Sequence, residues 1–494
     1  MKLRTKDIDI STGGPLVAIL NIRDAKKLDL HPLDRILISK GKKRYTLMID
    51  VSGNNKTVPP GRIALFKESI QKTRLAMGEV VDISLAKTPK SIEFIKKKLD
   101  GETLDKSQID QIVEDIVYNR LSQIEMAYFV AACYTKAMTQ KETILLTKSM
   151  ASYGDILDLD KYPIVDKHCI GGVPGNRTTM VLVPILAAAG FYMPKTSSRS
   201  ITSPAGTADT MEVIADVCFG LKQIKKIVKK TNACIVWGGA LNLAPADDAI
   251  IKVERPLGLD AESQLLASIM AKKHSVSSTH ILIDIPVGKS SKVKDKKEAT
   301  LLKEHFEAIG KKLNKHIKVM ITYGDEPIGN GIGPGLEARD ILWLLKRDFR
   351  RPLDLERKCI SMAAEMFKLL GIKDGKRKAL EILETGEAYK KMLQIIRAQG
   401  GKEPDTDKIR LGKYRFDFVA NRPGKICAIS NMMMSKVARV AGAPENKGAG
   451  AYLYRHVGDR VRKNEKIFTV YSESKEKLGY AREVLNEMKG ITIR

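Results

Sequence analysis

The sequence predicts an α/β and α+β multidomain protein: a small β-rich, barrel-like N-terminal domain, a helical domain, a central α/β domain with a mostly parallel sheet, and a C-terminal α+β domain. Three observations point there. A chain of 494 residues has room for several cores. Its hydrophobic period changes from alternating to helical near residue 85, and beyond residue 155 short apolar runs alternate with helices.

In chain order, residues 1–84 hold the alternating segments "LVAILNI", "DRILIS", "RYTLMIDVS" and "EVVDISLA", separated by turn signals at 11–14, "VSGNN" and 59–61. Residues 85–155, joined by 246–275, form the helical domain; Thr139 is the expected N-cap of "QKETILLTKSM". Residues 156–245 with 276–350 form the α/β domain, with strands expected at 162–165, 234–237, 281–285 and 318–322 and an apolar helix at 180–189. Residues 351–494 open with two helices and continue through "GKICAISN", "GAGAYLYR" and "DRVRKNEKIFTVYS".

Composition narrows the class. The longest apolar stretch, 180–194, is short and interrupted by Pro184 and Gly190, so no membrane span is expected. The charged N-terminus "MKLRTKDIDI" lacks the apolar core of a secretory signal, which places the protein in the cytoplasm. Six cysteines contain no C-x-x-C pair and seven histidines no H-x-x-x-H spacing, so neither a metal site nor, outside hyperthermophiles, a disulfide is expected. The net charge of +27 invites a nucleic-acid reading, but the lysine runs at 222–230 and 289–297 carry no interleaved aromatics. A solvated, lysine-rich surface of hyperthermophile type is the simpler expectation, with steering of a small anion as a second use.

Two loops carry the chemistry. "KHCIGGVPGNRTT", residues 167–179, places three glycines in five positions, and exposed backbone N–H groups near a helix start seat anions. It fits neither the P-loop nor the dinucleotide spacing. "TSSRSITSPAGTADTMEV", residues 196–213, offers hydroxyls, one guanidinium and a helix start, the groups that hold a phosphate monoester. Turn and cap preferences explain either loop alone. Two such loops following strands of one sheet favour binding.

Together with "LLASIMAKK", "DIPVGKSSKV", "GIGPGLEARD" and "GAGAYLYRHVGDRV", these segments resemble the thymidine and pyrimidine nucleoside phosphorylase family, and more closely its archaeal-type nucleoside monophosphate branch, the AMP phosphorylases. The likeness runs from about residue 89 to the C-terminus; "NIRDAKKLDLHPLDRILIS" in turn resembles double-psi barrels. The resemblance implies attack of inorganic phosphate, a co-substrate with no further cofactor and no metal, on C1′ of AMP, giving adenine and ribose 1,5-bisphosphate. CMP and UMP remain open as further substrates. By similarity Lys167, Gly172, Ser197, Ser198, Arg199, Ser200, Ile201, Thr202, Ser203, Thr207, Ser268, Lys272 and Lys292 bind the substrates, and which loop holds which phosphate stays open. Asp260 is the implied proton donor to the leaving base, though an Asp before "AESQLLASIM" is also an ordinary N-cap. A homodimer or larger homo-oligomer is implied, with no nucleic-acid or membrane partner. Two departures stand out: the family's "KHS" reads His168-Cys169 here, and its pyrimidine-gripping arginine falls near Val253, with Arg255 two places on. Rival functions are a thymidine or pyrimidine nucleoside phosphorylase and a non-catalytic basic nucleotide- or RNA-binding protein.

Overall fold

The computed structural model describes residues 1–200, 203–259 and 261–494, apart from the side chains of residues 255 and 257. It divides into two compact units, Met1–Gly154 with Ala244–Ala271, and Asp155–Leu243 with Lys272–Arg494.

The first unit begins as a closed barrel of β1 (Lys2–Asp7), β2 (Val17–Asn21), β3 (Arg35–Lys40), β4 (Lys43–Ser52), β5 (Arg62–Leu65) and β6 (Val80–Leu85) in the order β1-β5-β2-β4-β3-β6. Alternation turns Ala18, Leu20, Ile36, Ile38, Leu47 and Ile49 inward, and closure leaves no long edge unpaired. Three of the helices that follow start on capping boxes: Asp105, Ser122 and Thr139 each accept from the N3 amide, while Gln108, Glu125 and Glu142 bond back. Lys98 is buried among these helices and pairs with Glu142 at 3.0 Å. Barrel and helices are tied where Arg35 pairs with Glu125 and its Nε donates to the Arg120 carbonyl at 2.9 Å.

The second unit is built on β7 (Val165–Cys169), β8 (Met193–Ser197), β9 (Ala233–Trp237), β10 (His280–Val287) and β11 (His316–Tyr323). Pairings β11-β10-β7 and β8-β9 are parallel, and the parallel bridge Ile164–Tyr192 joins them into one sheet. The helix Thr178–Ala188 is buried on nearly every side. It packs with Leu355, Cys359, Met362, Met366, Ile395 and Ile396. Those residues belong to the first and last of three helices, Leu353–Leu369, Gly375–Glu384 and Glu387–Ala398, where two were expected: Gly386 adopts φ +74 and splits the pattern. Antiparallel strands and two helices complete the C-terminal region around Ile426, Met434, Phe468 and Val470. The fold class is the expected one. Among the described residues no helix is long and apolar enough to cross a membrane, and the six cysteines are free thiols.

Candidate active site

Parallel strands send their connections to one edge of the sheet, where ligands of open α/β folds bind. Here that edge collects the loop after β7, the Ser/Thr loop after β8, and the loops 288–295 and 324–330 after β10 and β11. Gly172 has φ +90, and a Cβ on it would run into the Lys292 backbone nitrogen and meet Ser291 at 3.0–3.1 Å. The glycine therefore lets two loops touch backbone to backbone. The Ile328 amide donates to the Pro174 carbonyl at 3.2 Å, adding the loop 324–330 to the same assembly.

The lysine expected on the glycine loop is on the strand. Lys167, His168 and Cys169 pair with Leu282, Ile283 and Asp284, so β7 starts at Val165 rather than ending there. Pairing with β10 fixes these residues as strand, and partners brought by the fold let it carry polar letters that a local apolar run does not announce. Burial is nearly complete for Lys167, at 1% exposure. Its Nζ donates to Thr178 Oγ1 at 2.8 Å and lies 3.8 Å from Asp284 Oδ2. On the other face of β7, Asp166 receives Lys195 at 2.9 Å and Lys273 at 2.6 Å, and Lys195 also donates to the Lys167 carbonyl at 2.6 Å. Asp284 accepts from Thr322 Oγ1 at 2.6 Å and pairs with Lys358 at 3.1 Å.

Three buried lysines and the nearly buried Lys358 thus face two carboxylates in this network, a surplus of positive charge in low dielectric. Burial works to raise both carboxyl pKa values, yet Lys195 and Lys273 outweigh it at Asp166, and Lys358 and Lys167 at Asp284, so both stay ionised. Burial lowers Lys167 and brings Lys195 to about 8. Burial, then the fields of Lys273, Lys195 and Lys167, push His168 well below its ordinary value, so at neutral pH it is uncharged. An anion entering here relieves that repulsion.

In the Ser/Thr loop, Ser197 ends β8, and the Asp209 carboxylate accepts from the amides of Ser200 at 2.7 Å and Gly206 at 2.8 Å. A Cβ on Gly206 would come within 2.6 Å of the Ser198 carbonyl, so the loop folds tightly on itself. The Arg199 guanidinium is committed to Glu212 and Asp209 and stacks over Trp237 at 4.9 Å. Ser203 Oγ donates to the Ala205 carbonyl at 2.9 Å. Much of the polarity expected to face a ligand therefore shapes the loop instead. Thr207 accepts from Arg177 at 3.3 Å, and Arg177 pairs with the buried Glu337, which links the Ser/Thr loop to the end of the glycine loop.

Ile201, Thr202 and Asp260 lie outside the described residues, as does the Arg255 side chain. Ser268 and Lys272 stand one turn apart, both half-buried, on the helix Glu262–Ser275; Ser268 belongs to the first unit and Lys272 to the second. Lys292 is exposed beside Gly172. The second unit thus gathers Lys167, Gly172, Ser197–Ser200, Ser203, Thr207 and Lys292 at one sheet edge. Sequence reasoning missed Asp166, Asn176, Lys195, Lys273, Asp284 and Lys358. A readable signal existed for two: Lys195 interrupts the apolar "YMP" run of a strand, and Lys358 falls on the stripe of Leu355 and Met362. Among the described residues no group of three or more His, Cys, Asp or Glu is arranged to hold a metal ion.

Comparison with known proteins agrees with this architecture. Residues 92–154 and 161–389 match the helical bundle domain and the a/b domain of the glycosyl transferase family, and residues 426–492 match the pyrimidine nucleoside phosphorylase C-terminal domain. The chain is 45% identical over 498 residues to the AMP phosphorylase of Pyrococcus furiosus, covering 100% of this chain and 98% of that protein. It is 44% identical over 486 residues to the AMP phosphorylase of Thermococcus kodakarensis, covering 97% and 95%. The anthranilate phosphoribosyltransferase of Thermus thermophilus superposes with a TM-score of 0.53 at 18% identity, over 62% of this chain and 99% of that one, a likeness of fold. A similarity that spans barrel, helical bundle, α/β core and C-terminal region alike leaves one assignment: the chain belongs to the AMP phosphorylase family, within the pyrimidine nucleoside phosphorylase group of glycosyl transferases.

Proposed function

We propose that this chain catalyses phosphorolysis of nucleoside 5′-monophosphates, with AMP as substrate and adenine and ribose 1,5-bisphosphate as products. The observation that carries the reading is the buried network in which Lys167, Lys195, Lys273 and Lys358 outnumber Asp166 and Asp284 beneath a glycine loop. A dianion bound at the strand ends balances that surplus, and it is held in a low-dielectric setting where each charge counts for more than in water. Two phosphates, the attacking one and the 5′ group, need two seats, and the glycine and Ser/Thr loops supply them.

In the reaction an oxygen of inorganic phosphate forms a bond to C1′ as the glycosidic bond breaks through an oxocarbenium-like state. The electron pair leaves with the base, which takes a proton at a ring nitrogen; Asp260 is its donor in this reading. Lys167, Gly172, Ser197, Thr207 and the loop to Ser203 hold phosphates and ribose, and Ser268, Lys272 and Lys292 hold the remainder of the nucleotide. No cofactor beyond phosphate is part of this reading. Cytoplasmic residence and a homo-oligomer are; Ile124, Tyr128 and Tyr134, exposed on the helix Gln123–Thr135, support the latter.

The test is base release from AMP, adenosine, CMP, UMP and thymidine, with and without phosphate, for the wild type and Asp260→Asn. Phosphate-dependent release of adenine from AMP but not from adenosine is expected, and Asp260→Asn should bind AMP while losing roughly two orders of magnitude in turnover. Release from nucleosides alone would move the chain to the nucleoside branch. Near-normal turnover in Asp260→Asn would return that residue to an N-cap role.

A further inference from the structure

Lys358 lies in "LERKCISM" on the helix Leu353–Leu369, one turn from the buried Leu355 and Met362, with its side chain 9% exposed. A lysine on the apolar face of a helix costs stability unless its charge is paired. Its Nζ meets Asp284 Oδ2 at 3.1 Å, and Asp284, fully buried, sits opposite Cys169 at the last position of β7. The next residue of the glycine loop, Ile170, donates its amide to the Asp284 carbonyl at 2.9 Å. The same carboxylate oxygen receives Asn176 Nδ2 at 3.3 Å, from the far end of that loop. Asn176 in turn donates to Cys169 Sγ at 3.2 Å, and its Oδ1 accepts from Thr178 Oγ1 at 3.4 Å, the hydroxyl that accepts Lys167. A continuous chain therefore runs from Lys358 through Asp284, Asn176 and Thr178 to Lys167, and both ends of the glycine loop close onto Asp284, one on its backbone carbonyl and one on its carboxylate.

We propose that Lys358 and Asp284 are positioning residues for the phosphate seat: Lys358 occupies Asp284 so that Asn176 braces the glycine loop and Lys167 stays on Thr178, available to the attacking phosphate. The proposal rests on the phosphorolysis reading for its ligand. Its physical content is competition for one carboxylate. With Lys358 removed, Asp284 keeps its charge and Lys167, 3.8 Å away, is the nearest buried cation left to satisfy it. Lys167 then moves onto Asp284, and the seat loses a cation and its loop anchor together.

The experiment compares wild type, Lys358→Met, Lys358→Arg, Asp284→Asn and the double variant Lys358→Met/Asp284→Leu. It reads inorganic phosphate affinity by calorimetry on the full chain, KM for phosphate and KM for AMP, with thermal unfolding as a fold control. Lys358→Met is expected to weaken phosphate binding and raise its KM roughly tenfold or more while the AMP KM moves much less, and Lys358→Arg is expected to recover most of that loss. The double variant removes Lys358 and its partner together but leaves the loop unbraced, so it should remain impaired toward phosphate. Asp284→Asn keeps the side-chain shape and reports on the brace should Lys358→Met fail to fold. Phosphate affinity within twofold of wild type in folded variants, or equal losses for phosphate and AMP, would overturn the proposal, as would a double variant restored to wild-type phosphate binding. If the wild type binds phosphate but releases no base, the phosphorolysis reading falls and the calorimetric comparison still decides the brace; if it binds no phosphate, both fall.

Discussion

At the scale of the residue, the same letter does different work according to what surrounds it. Lys222 and its neighbours sit on one solvated helix face, whereas Lys167, Lys195 and Lys273 are buried and Lys358 nearly so. Net charge cannot tell these apart. Gly172 is the sharpest single position, because its φ of +90 and the backbone of Ser291 and Lys292 both exclude a side chain. Gly172→Ala is expected to fold, since the strain is confined to loops, and to lose roughly tenfold or more in kcat/KM by pushing the two loops apart; steady-state kinetics with circular dichroism as control checks it. Unchanged kinetics would mean that the contact between these loops is incidental to the site.

At the scale of the element, the segment 324–333 links the glycine loop to the C-terminal region. One side receives Gly175 and Pro174; the other is held by His456, whose Nε2 lies 3.0 Å from Asn330 Oδ1 and whose Nδ1 lies 3.7 Å from Glu326. Burial alone would lower the His456 pKa, but the Glu326 bond and nearby Asp354 and Asp459 more than offset it, so the folded value lies above 6.5. A raised histidine pKa means stability that is fully present below the unfolded value and lost as pH rises through the folded value. Thermal unfolding from about pH 6 to about pH 8.5 should therefore show the wild type losing midpoint relative to His456→Gln. Parallel curves for the two proteins would remove His456 from the clamp. The capping boxes at Ser122 and Thr139 belong to this scale too; the Thr139 cap was read from the sequence because a cap depends on letters a few residues apart, while the Ser122 cap lay inside what read as one long helical segment.

At the scale of the whole molecule, the +27 charge acts as a field. Lys294, Lys296 and Lys297 are exposed at the start of the helix Lys296–Lys312, where the helix dipole disfavours cations, and they follow the loop that touches Gly172. Steering of a dianionic substrate accounts for that placement. Expected outcomes are a severalfold fall in kcat/KM for AMP between about 0.05 and about 0.5 M salt, and a shallower salt dependence with unchanged kcat in Lys294→Glu/Lys297→Glu. A steep collapse of binding to a polyanion, with none of this kinetic effect, would favour the nucleic-acid reading instead. By itself the sequence determined the order of barrel, helical bundle, parallel sheet and C-terminal region, and where the two loops of the candidate site fall in the chain, because period, turn residues and caps are local properties of the chain. Only the tertiary structure decided that Lys167 is a buried strand residue, that Arg199 is spent on Glu212, and that Asp284, 118 positions beyond Asp166, anchors the glycine loop. The reason is physical: a buried charge is defined by the partners that burial brings to it, and those partners come from strands and helices that meet only when the sheet has formed.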